Sequence, residues 1–166
     1  MEEVEPPENF SEVEKGIYRS SFPTLRHFPF LKKKKIKSII FLCPEEVSTQ
    51  YKRFMEDSGI TLFQFGVGGN KEPFDYIPDD VFAQAIEVLL DSRNHPIMVH
   101  CNKGKHRTGS LIGCLRRLQR WSLAMVFDEY CRFAGSKPRL ADQLFIELFH
   151  GEINLDSEHI PEWLHV

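Results

Sequence analysis

The stretch IMVHCNKGKHRTGSLIGCLRRLQRW, residues 97–121, decides the fold. Pro96 precedes a short apolar run, Ile97 to Val99, which reads as a buried strand. His100 and Cys101 then lead into a loop with no apolar residue, Asn102 to His106. From Arg107 onward, Leu111, Ile112, Leu115 and Leu118 recur at helical spacing, so a helix follows. A strand, a short polar loop and a helix together aim backbone N–H groups and a positive helix end at one point. A cysteine opening such a loop and an arginine closing it form C-x5-R, an arrangement able to hold a phosphate and attack it.

Each part has a physical task. Cys101 reacts only as a thiolate, and the helix N-terminus, the backbone N–H groups and Arg107 all favour that anion. The spacing to Arg107 lets the loop curl, so that the planar guanidinium reaches back over the sulfur and grips two equatorial oxygens of a transferring phosphoryl group. Gly104 permits the tight turn and Gly109 a closely packed first helical turn. The Thr108 hydroxyl is placed to hydrogen-bond the sulfur and steady it as a leaving group. A bare C-x5-R also arises by chance, as a buried cysteine in a solvated basic turn. Here it follows an apolar strand, contains glycine, ends in Arg-Thr-Gly and starts a helix.

Outward from this centre, the chain alternates strands and helices. A short β-prone stretch covers Ile17–Arg19, and residues 24–35 show helical spacing that Pro29 interrupts. Residues 36–42 read as a buried strand, 45–58 as a helix closed by Gly59, and 60–65 as a further strand. A long loop follows, residues 66–80, of the kind that carries function. Asp79 or Asp80 is expected to cap a helix running to about residue 91, and Ser122 another. A last helix lies near residues 140–149, and beyond Gly151 the tail is polar with Trp163 as its large anchor. The expected fold is α/β: a small central sheet flanked by helices on both faces, with the 102–106 loop at the carboxyl end of a central strand.

A chain of 166 residues is one domain by length, and fourteen phenylalanines help to fill its core. Residues 1–8 are expected to form a flexible acidic lead-in, 9–150 the catalytic domain and 151–166 a C-terminal tail. No run of eighteen apolar residues exists to span a membrane, and the acidic start is unlike a targeting peptide, so a cytoplasmic location is expected. Lys32 to Lys35 read as a solvated helix end more readily than as a nuclear address, although a nuclear pool is compatible with them. Cys43, Cys101, Cys114 and Cys131 include no C-x2-C pair and no H-x3-H partner, so neither a metal nor any cofactor is expected. Cys114 and Cys131 fall on apolar helical faces and read as core. The net charge of -3 argues against nucleic acid as a partner. Yet Cys101 to Arg120 holds Lys103, Lys105, Arg107, Arg116, Arg117 and Arg120 with no acid at all.

The segments PPENF, IYRSSFP, SIIFLCPEE, NKEPF, HCNKGKHRTG, WSLAMVFDEY and ADQLFIEL give the chain a recognisable likeness. It resembles the cysteine-dependent dual-specificity phosphatases, most closely the plant and fungal atypical members that act on inositol pyrophosphates. The resemblance implies a phosphotyrosine-phosphatase-like fold, with Cys101 as nucleophile, Arg107 as phosphate clamp and Thr108 as leaving-group partner. It also implies a general acid about thirty residues before the cysteine, where Glu72 and Asp75 are the candidates. Cys43 matches a position at which some lipid-directed members protect the nucleophile as a reversible disulfide. Gln143 corresponds to a water-orienting glutamine in related phosphatases, or is simply an exposed helix residue.

The charge of the loop narrows the expected substrate. Arg107 and the backbone N–H groups of Asn102 to His106 already satisfy one phosphate dianion. Lys103, Lys105 and His106 within the loop, with Lys71, Arg132, Lys137 and Arg139 on its rim, offer more positive partners than that. The resemblance and the charge together favour removal of the β-phosphate from the 5-position diphosphate of an inositol pyrophosphate. A protein tyrosine or dual-specificity phosphatase acting on a phosphoprotein is the nearest alternative. A phospho-ligand binding module without turnover is the second, which an intact Cys101, Arg107 and Thr108 disfavours.

Overall fold

The computed structural model describes residues 3–71 and 76–165. Among them, five strands form one mixed sheet: β1 (Ser11–Glu14), β2 (Ile17–Ser20), β3 (Ser38–Phe41), β4 (Thr61–Gln64) and β5 (Ile97–His100), in the order β1-β2-β5-β3-β4. Only the β1–β2 hairpin is antiparallel; β2 and β3 both run parallel to β5 and flank it. All four residues of β3 and of β5 are buried, the pattern of parallel strands covered on both faces. The loop after β5 therefore opens at the carboxyl end of the central strand, as the alternation of elements implies.

Six α-helices clothe the sheet: α1 (Phe28–Lys33), α2 (Thr49–Asp57), α3 (Asp79–Leu89), α4 (Arg107–Leu118), α5 (Leu123–Ala134) and α6 (Leu140–Leu148). α1 and α2 pack together through Phe28 and Phe54, whose rings stack with centroids 4.1 Å apart. α3, α5 and α6 gather around α4, which buries nine consecutive residues, Thr108 to Arg116. Gly113 makes this possible, because a Cβ there would lie 2.5 Å from Ile146 Cδ1 on α6. No described helix is long and apolar enough to cross a membrane.

Several boundaries differ from the sequence expectation. Residues 45–48 are not helical: the Ser48 hydroxyl accepts the Tyr51 N–H and starts α2 there, while the Gln64 amide ties down the carbonyls of Cys43 and Glu45. The N-cap of α3 is Pro78, so Asp79 and Asp80 occupy its first turn, where their charge still suits the helix end. Strand β1 carries no apolar alternation and was invisible to periodicity; it exists because Gly16, at φ +90, turns it back onto β2. Cys131 is only half-buried, unlike Cys114. The tail has more anchors than Trp163: Leu164 is buried, Ile153, Leu155 and Ile160 pack on the core, and Trp163 Nε1 donates to the Lys15 carbonyl at 3.0 Å. At the other end, Pro7 is buried and the Glu8 carbonyl accepts the Ser21 N–H.

Candidate active site

The loop from Cys101 to His106 is held open by its neighbours. The Phe22 N–H donates to the Asn102 carbonyl at 2.9 Å, which turns that oxygen out of the loop. Gly104 lies at φ +71, pressed so close to the end of β2 that a Cβ would stand 2.6 Å from the Ser20 carbonyl oxygen. No other residue type fits both its backbone angle and its neighbour. His106, at the N-cap of α4, makes no side-chain cap, so the first-turn N–H groups remain available to an anion. Cys101 is 3% exposed at the floor of this loop, and Thr108 Oγ1 donates to its sulfur at 3.0 Å.

A cleft of about 260 Å³ opens above the sulfur. Cys101, Asn102, Lys103, Lys105, His106 and Arg107 line it from the loop, Gly68 and Lys71 from the segment after β4, and Lys137 and Arg139 from the connection between α5 and α6. Arg107 Nη1 donates to the Val67 carbonyl at 3.1 Å, leaving the rest of the guanidinium fork to face an anion. Among the described residues, Lys103, Lys105, Lys137 and Arg139 take part in no ion pair. The structure thus brings together all the expected substrate-binding positions except two. Arg132 does not line the cleft; it is exposed, with its guanidinium 5.8 Å from the Phe133 ring. Gly104 lies beneath the loop and acts through its backbone alone.

His106 lines the cleft in a different role from the cation expected of it. Its Nε2 donates to the Lys137 carbonyl at 2.7 Å, and burial holds its imidazole below the usual range, so it is neutral at pH 7. It is a strut that fixes the rim. Gln143 is likewise engaged, its amide donating to the Arg139 carbonyl at 3.3 Å. Glu72 and Asp75, the two candidate acids, lie outside the described residues.

Three buried groups near the site were missed by sequence reading. His100 Nδ1 donates to the Cys101 carbonyl at 3.0 Å, so Nε2 accepts the Tyr51 hydroxyl at 2.8 Å. Burial pushes His100 down to about 4, which keeps it neutral. Asn70 bridges two elements: its carbonyl accepts the Ile77 N–H and its amide donates to Asp142 Oδ1 at 3.0 Å. The Tyr130 hydroxyl donates to the other Asp142 oxygen at 2.5 Å and accepts the Arg139 N–H. Arg19 on β2 is the third, and donates to the Gly104 carbonyl at 3.0 Å. None of the three has a local signature, because each is fixed by a partner between 49 and 85 positions away.

Cys43 stands just beyond β3, at the same sheet end as Cys101, in line with the paired Phe41 and His100. It is a buried free thiol, pushed up to about 11 chiefly by burial. The Arg107 guanidinium and the Asn102 backbone N–H oppose that rise.

Comparison with known proteins agrees with this geometry. The chain is 53% identical over 144 residues to inositol diphosphatase DSP4 of Arabidopsis thaliana, covering 87% of this chain and 73% of that protein. It is 55% identical over 148 residues to inositol diphosphatase SIW14 of Saccharomyces cerevisiae, covering 89% of this chain but only 53% of that one. Over 161 residues it is 42% identical to "Probable tyrosine-protein phosphatase DG1060" of Dictyostelium discoideum, covering 97% and 96%. The crystal structure of the core catalytic domain of the PP-IP phosphatase SIW14, in complex with citrate, superposes with a TM-score of 0.85 at 52% identity, over 89% of each chain. The tyrosine phosphatase family profile matches residues 4–166, and with a cysteine, threonine and arginine so arranged the chain belongs to that family.

Proposed function

We propose that this chain is a metal-independent phosphatase that works through a cysteinyl-phosphate and removes the β-phosphate of an inositol pyrophosphate at the 5-position diphosphate. The observation that carries the reading is the cleft itself: a sulfur held by Thr108 at its floor, surrounded by Lys103, Lys105, Lys137 and Arg139, none of which forms an ion pair among the described residues. That is more positive charge than one phosphate dianion uses. The names of the DSP4 and SIW14 relatives support the same substrate class.

In this mechanism the Cys101 thiolate attacks the β-phosphorus while the loop N–H groups and Arg107 hold the non-bridging oxygens. The sulfur–phosphorus bond forms as the bond to the bridging oxygen breaks, and the inositol-bound α-phosphate departs. Water then attacks phosphorus, and Thr108 stabilises the sulfur as it leaves. An expelled phosphate needs less protonation than a phenolate, whose conjugate acid has a pKa of about 10. Glu72 or Asp75 supplies the proton where one is needed.

Comparing rates for an inositol pyrophosphate and a phosphotyrosine peptide, in wild type, Glu72→Gln and Asp75→Asn, tests this reading. Faster turnover of the pyrophosphate is expected. Faster turnover of the peptide, abolished by an acid variant, would establish the second reading, a protein tyrosine phosphatase acting on phosphoproteins, which the DG1060 relative favours. A Cys101→Ser variant that keeps full hydrolysis, or a chelator-sensitive activity, would overturn the mechanism. We further propose that peroxide joins Cys43 and Cys101 in a reversible disulfide, two thiols giving up two electrons as peroxide is reduced to water. Non-reducing peptide mapping of oxidised, inactive protein should contain that link. We also propose a cytoplasmic location with a nuclear pool, which imaging a fluorescent fusion checks.

A further inference from the structure

Two arginines of this fold are buried, and they differ in one respect. Arg116, 4% exposed, is neutralised: it donates to Glu129 at 3.0 Å and to Glu14 at 2.8 Å. Arg19 is 1% exposed and, among the described residues, forms no ion pair. Its Nη2 donates to the Gly104 carbonyl, its Nε finds no partner among the described residues, and its Cζ lies 3.8 Å from the centroid of the Phe133 ring. An unpaired buried cation is strongly destabilising, so its presence calls for a compensating anion.

The surroundings place Arg19 directly behind the C-x5-R loop. Arg19 is paired with Val99 across β2 and β5, two residues before Cys101, and its one hydrogen bond reaches into the middle of the C-x5-R loop. The same Gly104 carbonyl also accepts the Asn9 side-chain amide at 3.1 Å. Two donors from behind turn that oxygen away from the cleft, which an anion-binding loop requires, since an inward carbonyl would repel phosphate. Glu129 and the Cys101 sulfur act on Arg19 as stabilising charges; Arg116 and Arg132 oppose them. Burial lowers the guanidinium to about 10, so it stays charged at pH 7.

We infer that Arg19 is a positioning residue for the phosphatase reaction: it aims the Gly104 carbonyl outward and stands behind the loop as a fixed positive charge for the anion held in front. This rests on Cys101 being the nucleophile. The other groups around Cys101 are Arg107 and Thr108 of α4, neutral His100 of β5, neutral Cys43 beyond β3, and Lys103 and Lys105 in the loop. Arg107 faces the phosphoryl oxygens from above, whereas Arg19 acts from below.

The test measures iodoacetamide alkylation of Cys101, located by peptide mass mapping, as a function of pH in wild type, Arg19→Met and Arg19→Lys. Inorganic phosphate binding and hydrolysis of a small aryl phosphate are followed in parallel. Replacing an unpaired buried charge by methionine should leave the fold intact, which far-ultraviolet dichroism checks. In Arg19→Met the alkylation profile is expected to move to higher pH by about one unit, and phosphate affinity and kcat/KM to fall by about tenfold or more. Arg19→Lys keeps the charge, so its alkylation profile should stay closer to wild type while kcat falls from the misdirected loop. An Arg19→Met protein that folds and keeps the wild-type profile and phosphate affinity overturns the inference. So does failure of both variants to fold, which would make Arg19 a residue of stability alone. Loss of the underlying reading looks different: Cys101→Ser would then retain hydrolysis, whatever Arg19 does.

Discussion

At the scale of single residues, the sequence was most readable where chemistry is local. Cys101, Arg107 and Thr108 lie within one loop and one helical turn, so spacing alone brings them together, and the 3.0 Å Thr108–Cys101 contact follows. Arg19, Asn70, Asp142 and His100 were not readable, because each is defined by a partner between 49 and 85 positions away. His100 shows what this conceals. It is fully buried, donates to the Cys101 carbonyl and accepts from Tyr51, and is held down to about 4 by burial. The unfolded chain, with histidine near 6.5, binds the proton first as pH falls. The stabilisation is therefore complete above about pH 6.5 and is lost progressively down to pH 4, an effect of about 3 kcal/mol in order of magnitude. Thermal unfolding midpoints from pH 7 to pH 4 should fall in wild type. His100→Asn, less stable at pH 7, is expected to show a shallower fall over that interval. An equally steep fall in the variant would assign the acid sensitivity to other groups.

At the scale of elements, a helix end was placed well where its capping residue was recognised and drifted where it was not. Ser122 begins α5 as its sequence position implies, and Gly59 closes α2 at φ +68. The start of α2 moved to Ser48, because a capping hydroxyl and the Gln64 contacts outweigh the helix propensity of Glu45 and Glu46. The junction of α5, α6 and the segment after β4 could not be read at all, since it turns on one buried carboxylate. Asp142 takes donors from Tyr130 and Asn70, and Tyr130 in turn receives the Arg139 N–H, so this carboxylate fixes the backbone beside Lys71 and Arg139 at once. Tyr130→Phe removes one donor from a buried charge and orphans an N–H. A loss of about 1–3 kcal/mol in stability is expected. If the network sets the rim, KM for an inositol pyrophosphate should rise several-fold more than KM for a small aryl phosphate. Equal changes would reduce the network to a matter of stability.

Over the whole molecule, the decisive feature is the uneven placement of charge. The chain carries a formal net charge of -3, which in the average would repel a polyanion. The fold reverses this locally by drawing Lys71, Lys103, Lys105, Arg107, Lys137 and Arg139 from three separate stretches to one cleft. The two lysines inside the loop were readable because the C-x5-R frame fixes them; Lys71, Lys137 and Arg139 were named for the rim together with Arg132, and only the packing of β4, α5 and α6 separates them from it. Attraction between these cations and a clustered set of phosphates is long-ranged and therefore screened by salt, with a Debye length of about 10 Å at 0.1 M. A single aryl phosphate, gripped at short range by the loop N–H groups and Arg107, depends far less on the rim. Raising sodium chloride from about 0.05 M to 0.5 M should thus lower kcat/KM for an inositol pyrophosphate by an order of magnitude or more, while that for an aryl phosphate changes little. Lys103→Ala with Lys105→Ala should flatten the first curve and leave the second in place. Parallel salt curves for both substrates in wild type would mean that the rim charge takes no part in selecting the substrate.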